Sequence, residues 1–471
     1  MEQKQNIEVF ERMPVPKAVA KIVLPAIASM LMVFIYNIAD TFFIGQTGDE
    51  LQVAAVALTT PVFLLFMATG TLFGVGGTSV ISRAIGEGRL EYAKKASAFC
   101  FYAAIAIGCI LMVSFWIFMP AILSFIGTSK DTIGFAHEFL KYVALSAPFV
   151  LVSQSFSNIV RAEGRAKEAM NGMLLGTIVN IILNPIFILG FNLGVVGSAI
   201  ATVIGNIIAA GYYVLYLLQG KSILSIALKD FQVNDKIMTG VFAIGIPAFI
   251  TDILMSVANV ILNNFLAVYG DVQVAAMGVA MKAGMMVVLL QIGLGQGIQP
   301  LLGFNYGAGN YRRLRDVIQF SSLCSIIFGT IITVAVWLNI DFFIRVFIDN
   351  EDVVKYGVII LKAMLLSGPV VGLLFIFTSA LQAMGKALPS LILSLSRQGL
   401  VFIPLLFILN ALGGFNGIVY VQPLVDFVSI LLSAVLYFAV SRSMGSKKEQ
   451  PQQTPAGSIG AMTADAGQEA K

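Results

Sequence analysis

Residues 25–45 read PAIASMLMVFIYNIADTFFIG and combine an almost wholly apolar run with one acid, Asp40, near its end. Asn37 lies one helical turn before Asp40, and Tyr36 lies beside Asn37. A carboxylate costs about 2.5 kcal/mol or more at the centre of a bilayer helix, so chains seldom keep one there without a use. We therefore predict that Asp40 faces a wet cavity and exchanges a cation. The alternative is a solvated position at the outer interface, where Asp40 merely ends the helix.

The composition of the 471-residue chain is that of a membrane protein. Hydrophobic residues make up 58% of it and charged residues only 11%, whereas about a quarter of a soluble globular chain is charged. Twelve apolar stretches are long enough to cross a bilayer as helices. They run 18–45, 53–81, 96–119, 139–160, 170–190, 197–218, 240–268, 274–302, 317–340, 357–381, 389–411 and 417–440. They are too long and too uniformly apolar for barrel strands, so the predicted fold class is an all-α integral membrane protein.

The charges of the connecting segments alternate along the chain. Lys and Arg concentrate in every second polar segment, such as 83–95, 161–167 and 312–315, and are nearly absent from 46–50 and 191–196. Basic loops stay in the cytoplasm, so we expect both termini inside and an even number of spans. Because the basic residues lie in these short loops, the net charge of +4 does not indicate a nucleic-acid partner.

The two halves of the chain resemble each other at an offset near 221 residues. The matching pairs are Pro25 with Pro247, Asn37 with Asn259, Gln52 with Gln273, Gly76 with Gly297, Gly86 with Gly307, Pro148 with Pro369 and Gly164 with Gly385. Because each half holds six spans, both halves enter the membrane from the same side and form parallel repeats. We predict two six-helix lobes around a central cavity. The divisions are a cytoplasmic segment 1–17, an N-lobe 18–220, a cytoplasmic linker 221–239, a C-lobe 240–440 and a disordered cytoplasmic tail 441–471.

Several motifs give the chain a family resemblance. They are YNIAD (36–40), RAIGEGR (83–89), RAEGRA (161–166), NIILNPIFILG (180–190), GVVGSAIAT (194–202) and FNYGAGN (304–310). From Phe10 to Tyr437 the chain resembles the multidrug and toxic compound extrusion (MATE) transporters, and within them the MepA-like branch of the DinF subfamily. The resemblance implies a secondary active antiporter in the inner membrane of a bacterium. Such a protein exports organic cations or other drugs in exchange for H⁺ or Na⁺, by alternating access and without a further cofactor.

The resemblance also implies a cation-coupling site in the N-lobe, built from the first, fifth and sixth spans. Its residues here are Asp40, Asn180, Asn184 and Thr202, with Tyr36 nearby and Pro25 as the bend of the first helix. Asn180 and Asn184 are four residues apart, so they share one helix face. Some family members carry a second carboxylate where Asn184 stands, and its absence here leaves both H⁺ and Na⁺ open. The acid that other branches carry on the tenth helix corresponds to Ser379, which argues against a copied site in the C-lobe.

The C-lobe has intramembrane charges of its own, Asp252, Lys282 and Arg397. Because each is costly alone, we expect Asp252 to pair with Lys282 or Arg397. These residues are either supports within the lobe, or Asp252 is a second proton or substrate site. Asp426, near the start of the last span, is expected at the membrane interface.

A further group of polar and methionine residues is predicted to line the substrate cavity. Methionine suits promiscuous binding because it repacks readily. The alternative for these residues is hydrogen bonding between helices, or packing against lipid and core. The predicted cavity residues are Asn37, Gln154, Met255, Asn259, Met281, Met285 and Gln291.

Three other classes of protein are less consistent with the sequence. An enzyme is not indicated, because no phosphate-binding loop and no Cys/His cluster with metal-ligand spacing is present, and His137 is the only histidine. A lipid-linked oligosaccharide flippase of similar shape needs a strongly basic cavity to bind the pyrophosphate of its substrate. A receptor or scaffold does not need the repeat or the intramembrane acids. The expected partners are therefore small organic cations or other drugs and membrane lipid, with the protein a monomer.

Overall fold

The computed structural model describes residues 8–47, 49–233, 235–348 and 350–445. Regular structure in these ranges is helical throughout. The first half contains α1 Val15–Gly45, α2 Glu50–Gly86, α3 Leu90–Ile117, α4 Met119–Phe125, α5 Ile133–Ala162, α6 Ala166–Pro185 with a π-helical turn Ile186–Gly190, and α7 Gly194–Leu218. The second half contains α8 Asp235–Ala267, α9 Asp271–Gly307, α10 Tyr311–Leu338, α11 Ile340–Arg345, α12 Glu351–Met364, α13 Val371–Ala383, α14 Ala387–Leu395 with a π-helical turn Ser396–Leu400, α15 Phe402–Val419 and α16 Val421–Gly445.

The predicted all-α membrane fold is confirmed, with one departure in the tenth span. Eleven helical segments of the described residues are long and apolar enough to cross a membrane. The stretch predicted at 357–381 is instead divided between α12 and α13, with residues 365–370 between them. Pro369 lies in that interruption, whereas its repeat partner Pro148 lies inside the continuous helix α5. The predicted domain boundaries stay predictions, and residues 1–7 and 446–471 of the predicted terminal segments lie outside the described residues.

Glycines with positive φ end helices at repeat-related places. Gly88 and Gly309 follow α2 and α9 with φ of 75° and 70°, and Gly164 and Gly385 follow α5 and α13 with φ of 87° and 70°. A side chain would strain the backbone in this left-handed region, so glycine is the residue that ends these helices with a tight turn. The repeated glycines seen in the sequence therefore mark the turns at one end of the bundle, where the basic loops also lie. We call this end the basic end, and the other the opposite end.

Glycines also bring the two halves into backbone contact near the basic end. A Cβ at Gly76 of α2 would overlap with the carbonyl oxygen of Val241, and a Cβ at Gly245 of α8 would overlap with that of Leu72. Every residue from Leu72 to Ser82 is buried. The two lobes are therefore closed against each other at the basic end.

The hydrophobic cores agree with this closure. One core fills the N-lobe and continues into the parts of the C-lobe near the basic end, including Ile298 of α9 and Leu314 of α10. A second core lies in the half of the C-lobe nearer the opposite end, around Leu262 and Leu406. The lobes thus share a core at the basic end and are separate in their packing at the opposite end.

The segment between the lobes is anchored to the N-lobe by a buried acid. Glu163, which follows α5, accepts hydrogen bonds from the Tyr216 hydroxyl at 2.7 Å, the Ser222 hydroxyl at 2.7 Å and the Ile223 amide at 2.9 Å. Because three donors compensate the carboxylate, its burial is tolerated. The first residues of the connecting segment are consequently fixed on the N-lobe before α8 begins.

The glycine contacts predict a position-specific effect of a small substitution. Gly76→Val should lower the melting temperature of the purified protein in detergent, because its side chain would overlap with the α8 backbone and overpacking costs about 1–3 kcal/mol. Gly278→Val is the matched control, since Gly278 also lies inside a long helix but nothing lies within 4 Å of its Cβ position. Equal melting temperatures for the two variants would contradict the close contact of α2 with α8.

Candidate functional site

Asp40 lies near the end of α1 and faces two other helices of the N-lobe. Its Oδ1 accepts a hydrogen bond from the Ser198 hydroxyl of α7 at 2.9 Å and from Asn184 Nδ2 of α6 at 3.0 Å. The carboxylate is only partly exposed. It therefore points into the lobe, toward the helices that the sequence resemblance named, and it is held there by two uncharged donors.

A chain of polar side chains continues from Asp40 into the lobe. Asn184 Nδ2 also lies 3.1 Å from Asn180 Oδ1, and Asn180 Nδ2 donates to the Thr202 hydroxyl at 3.1 Å. Asn180, Asn184 and Thr202 are 4%, 0% and 6% exposed. Tyr36 of α1 lies beside both Thr202 and Asp40. The structure thus brings together all five residues predicted for the coupling site.

The local sequence explains how α6 presents these amides. Asn180 and Asn184 are one helical turn apart and share a face. Pro185 ends α6, and the chain continues as the wider π-helical turn Ile186–Gly190. Such turns arise where the regular hydrogen-bond pattern is broken, and proline breaks it because it has no N–H. The Asn-Pro pair therefore places the polar face of α6 beside a widened helix end.

One atom of the cluster lacks a hydrogen-bond partner. Asn184 Oδ1 is buried and accepts no hydrogen bond. An unsatisfied buried acceptor costs about 1–3 kcal/mol, so a donor or a positive charge close to Asn184 Oδ1 would stabilise the cluster. Both a proton carried on the neighbouring Asp40 carboxyl and a bound Na⁺ would supply what Asn184 Oδ1 needs.

Ser198 was not predicted from the sequence. It lies four residues before Thr202 in GVVGSAIAT and therefore on the same face of α7. This four-residue spacing from Thr202 is the sequence pattern from which Ser198 could have been predicted.

Pro25 lies within the uninterrupted helix α1, where its carbonyl accepts a hydrogen bond from the Ser29 hydroxyl at 2.9 Å. The bend at Pro25 stays a prediction.

The charges of the C-lobe pair differently from the prediction. Arg397 lies 3.2 Å from Asp426, with side chains 15% and 6% exposed. The Ser367 hydroxyl at 2.8 Å and Gln422 Nε2 at 3.0 Å also donate to Asp426. The prediction that Asp252 pairs with Arg397 or Lys282 is therefore wrong. Asp426 as a whole residue is 4% exposed, and its expected depth at the membrane interface stays a prediction. Asp426 is buried because α16 packs against the interruption of the tenth span at Ser367.

The ion pair has no counterpart in the N-lobe. Shifted by 221 residues, Arg397 and Asp426 correspond to Gly176 and Gly205. Those two glycines lie in contact, each so close to the other's carbonyl oxygen that a Cβ would overlap with it. The same crossing of two helices is thus made by backbone contact in one lobe and by an ion pair in the other.

Asp252 lies on α8 at the boundary between the lobes. Its carboxylate is beside the Thr71 hydroxyl of α2, and it is partly exposed. The neighbouring Thr251 hydroxyl lies 2.7 Å from that of Ser394, so α8 is fixed to α14 at this level. Lys282 is exposed on α9 and forms no ion pair with Asp252.

The residues predicted to line the cavity divide into two groups. Gln291 is 3% exposed and exchanges hydrogen bonds with Ser325 of α10, at 3.0 Å to its carbonyl and 2.8 Å from its hydroxyl. It therefore joins two helices and is not a cavity residue. Gln154 packs its side chain against Gly70. Gln154 is itself partly exposed, and the others are partly or well exposed, to the cavity or to lipid, so their place in the cavity stays a prediction: Asn37, Met255, Asn259, Met281 and Met285.

The buried pair predicts a large effect on stability from one substitution. Arg397→Met should destabilise the protein by roughly 3–5 kcal/mol, because it leaves Asp426 as an uncompensated buried charge. The double variant Arg397→Met/Asp426→Leu should recover most of this loss, since it removes both charges. Melting temperatures in detergent measure both effects.

An exposed ion pair provides the control for this experiment. Arg345 lies 2.9 Å from Glu351, with side chains 41% and 81% exposed. Exposed pairs contribute little, so Arg345→Met should leave the melting temperature nearly unchanged. A single variant Arg397→Met as stable as Arg345→Met would show that the pair is not desolvated.

Comparison with known proteins places this arrangement among transporters. The MatE family model matches residues 25–186 and 247–408, one block in each half of the chain. The multidrug export protein MepA of Staphylococcus aureus strain MSSA476 is 35% identical over 416 residues, which cover 88% of this chain and 92% of that protein. MepA of Staphylococcus saprophyticus is 31% identical over 434 residues, covering 92% and 96%.

Solved structures share the fold. A crystal structure of MATE in complex with MaL6 superposes with a TM-score of 0.90 at 21% identity, covering 94% of this chain and 99% of that one. An outward-facing conformation of a multidrug resistance MATE family transporter superposes with a TM-score of 0.89 at 21% identity and the same coverage. The two-lobed architecture is therefore that of these structures.

Proposed function

Because the chain belongs to the MatE family, we propose that it is a multidrug efflux antiporter, which exports organic cations in exchange for protons. The observation that carries this proposal is the Asp40 cluster. A single carboxylate on α1 is hydrogen-bonded to α6 and α7, next to a buried acceptor, Asn184 Oδ1, that lacks a donor. Such a cluster can change its charge and its hydrogen bonds when one monovalent cation binds.

Protons are favoured over Na⁺ by the composition of the cluster. Asp40 is its only carboxylate, and the groups that face Asp40 Oδ1 are donors, the Ser198 hydroxyl and the Asn184 amide nitrogen. In this orientation the two groups stabilise the carboxylate itself, and they would have to turn before their oxygens could ligate a metal ion. A protonated Asp40 gains a donor of its own, and Asn184 Oδ1 is the nearby acceptor in need of one. Na⁺ coupling is the competing outcome of the test below.

The charged loops and the closed end of the bundle together indicate the side toward which a ligand is released in the described conformation. Basic loops lie in the cytoplasm, so the basic end is the cytoplasmic end and both termini are inside. The lobes are in contact there, through Gly76 and Gly245 among others. The described conformation is thus closed to the cytoplasm, and a ligand leaves toward the opposite end.

In the proposed cycle, the inward movement of a proton and the outward movement of the organic cation are coupled at Asp40. A proton enters from the outside, neutralises Asp40 and lets α1 repack, with Pro25 as its weakest point. The organic cation is released outward. Return requires a new cation to bind from the cytoplasm while the proton leaves to that side. The proton can shift the balance of the two conformations only through its different affinity for them.

The competing flippase function receives no support from the charges of the lobe boundary. A pyrophosphate needs several basic side chains. Here Arg397 is engaged by Asp426, and Arg83, which lies against Gly385 of the C-lobe, is at the closed basic end. Beyond that closed end, the charge beside the opposite lobe is the carboxylate Asp252. We further propose a monomer embedded in the inner membrane of a bacterium, with lipid around both lobes.

Asp40→Asn should abolish gradient-driven transport. In proteoliposomes with ethidium as the probe, an imposed proton gradient should drive transport by the wild type, and Asp40→Asn should reduce the rate roughly a hundredfold, because the titrating group is lost. Asp131→Asn, which removes an exposed acid in a loop, is the control and should transport normally.

The ion is identified by a second gradient. A Na⁺ gradient without a proton gradient should not drive ethidium transport by the wild type. Transport driven by Na⁺ alone would replace the proton by Na⁺ in the proposal. Proton-driven transport that persists in Asp40→Asn would exclude Asp40 as the coupling residue.

A further inference from the structure

The exposure of α2 changes abruptly at Thr71. This holds for the face that carries Thr71 and Met67, which are both partly exposed, whereas every residue from Leu72 to Ser82 is buried. Residues 68–70 are buried on the other side of the helix, where Gly70 packs against Gln154 of the N-lobe. Leu72 is also the residue whose carbonyl oxygen lies against Gly245 of α8. The contact of the lobes therefore ends at this level. We call the space beyond it, between α2 and α8 on the side of the opposite end, the cleft.

Asp252 lies at the closed end of the cleft. It follows Gly245 by seven residues, about 10 Å along α8 toward the opposite end. Its carboxylate is beside Thr71, a residue of the other lobe. A side chain that reaches across the lobe boundary points neither into lipid nor into the core of its own lobe.

Asp252 has no cationic partner among the described residues. Arg397, on the neighbouring segment after α14, is engaged by Asp426. Lys282 is exposed on another helix. An intramembrane carboxylate without a cation is costly, and it marks a place where a cation comes from elsewhere.

Two methionines flank this carboxylate on the open side. Met67 precedes Thr71 by one turn of α2, and Met255 follows Asp252 by one turn of α8, so each lies nearer to the opposite end on the face that carries Thr71 or Asp252. Met67 is partly exposed, and Met255 is 43% exposed. A carboxylate below flexible, polarizable side chains matches a ligand with a positive charge on an apolar body.

We propose that Asp252 is the residue that binds the positive charge of a transported organic cation, at the closed end of the cleft. This inference rests on the proposed function and assigns to Asp252 a task separate from that of Asp40. Asp40 is held by donors of its own lobe and exchanges a proton. Asp252 lies beside a hydroxyl of the opposite lobe, that of Thr71, which donates to the Met67 carbonyl oxygen of its own helix at 3.0 Å. The surroundings of Asp252 therefore change whenever the lobes separate. The carboxylate and its ligand then move with the opening of the cytoplasmic end.

Binding of two probes tests the charge specificity. The purified protein in nanodiscs is titrated with ethidium, a cation, and with Nile red, an uncharged dye, and binding is followed by fluorescence polarisation. Asp252→Asn should raise the Kd for ethidium roughly tenfold or more, because a charge pair in a partly desolvated cleft is lost. The Kd for Nile red should change less than twofold. Asp252→Glu should bind ethidium within about threefold of the wild type, since it keeps the charge.

The controls separate this role from a structural one. Asp341→Asn removes an exposed acid at the opposite end and should leave both Kd values unchanged. Melting temperatures show that each variant is folded. If Asp252→Asn weakens both probes equally, or neither, the proposal is wrong. Absence of ethidium binding by the wild type overturns it too.

Transport distinguishes this inference from the proposed function. In proteoliposomes Asp252→Asn should raise the KM for ethidium and leave proton coupling and the maximal rate nearly unchanged, whereas Asp40→Asn should lose coupling. A wild type that binds ethidium through Asp252 but transports nothing in either gradient would refute the antiport function alone. Normal transport with an unchanged KM in Asp252→Asn would refute the role of Asp252 alone.

Discussion

A charge inside an apolar helix bundle has to be paired, hydrogen-bonded or in contact with water, because the bilayer offers nothing else. Three acids within the spans meet this requirement in three ways. Asp426 is paired with Arg397 and is buried. Asp40 is hydrogen-bonded by uncharged donors within its own lobe. Asp252 is partly exposed at the lobe boundary beside one hydroxyl. These differences in surroundings, more than the residue type, separate a structural charge from one that can exchange its partner.

The internal repeat shows where the lobes have come to differ. Glycines at corresponding places end corresponding helices, and Gly86 and Gly307 bring α2 and α9 together by matching contacts with the carbonyl oxygens of Phe304 and Arg83. At the crossing that carries Gly176 and Gly205 in the N-lobe, the C-lobe has its ion pair instead. The two related prolines also differ, since Pro148 lies inside the continuous helix α5 of the N-lobe and Pro369 lies in the interruption between α12 and α13 of the C-lobe. In the proposed function the polar centre of the N-lobe holds a mobile proton, while that of the C-lobe is occupied by its own Arg397.

Function in this arrangement depends on a contact that can open. The lobes meet at the basic end where glycines let α2 and α8 approach closely, and side chains such as Phe73 and Phe242 pack edge to face beside these glycines. Asp252 and Thr71 lie where this contact ends. In our proposal, a ligand bound there is next to the contact that must separate for the basic end to open. Asp40 lies near the end of α1, in the N-lobe cluster. In the proposed cycle it takes up the proton without occupying the space of the ligand beside Asp252.

The sequence by itself determined the class of fold, the repeat and the basic end. These are properties of local pattern: apolar length, the sign of loop charges and repeated turn glycines. Five members of the Asp40 cluster were implied by the family resemblance, and the four-residue spacing of Asn180 and Asn184 agreed with it. Only the tertiary structure decided that Arg397 pairs with Asp426, that Gln291 joins two helices, that Ser198 belongs to the cluster and that Asp252 lies against the opposite lobe. Which side chains meet depends on the rotation of each helix about its axis and on where a span is interrupted. The hydropathy of the sequence predicts neither the rotation nor the interruption, since every face of these helices is apolar enough to contact either lipid or protein.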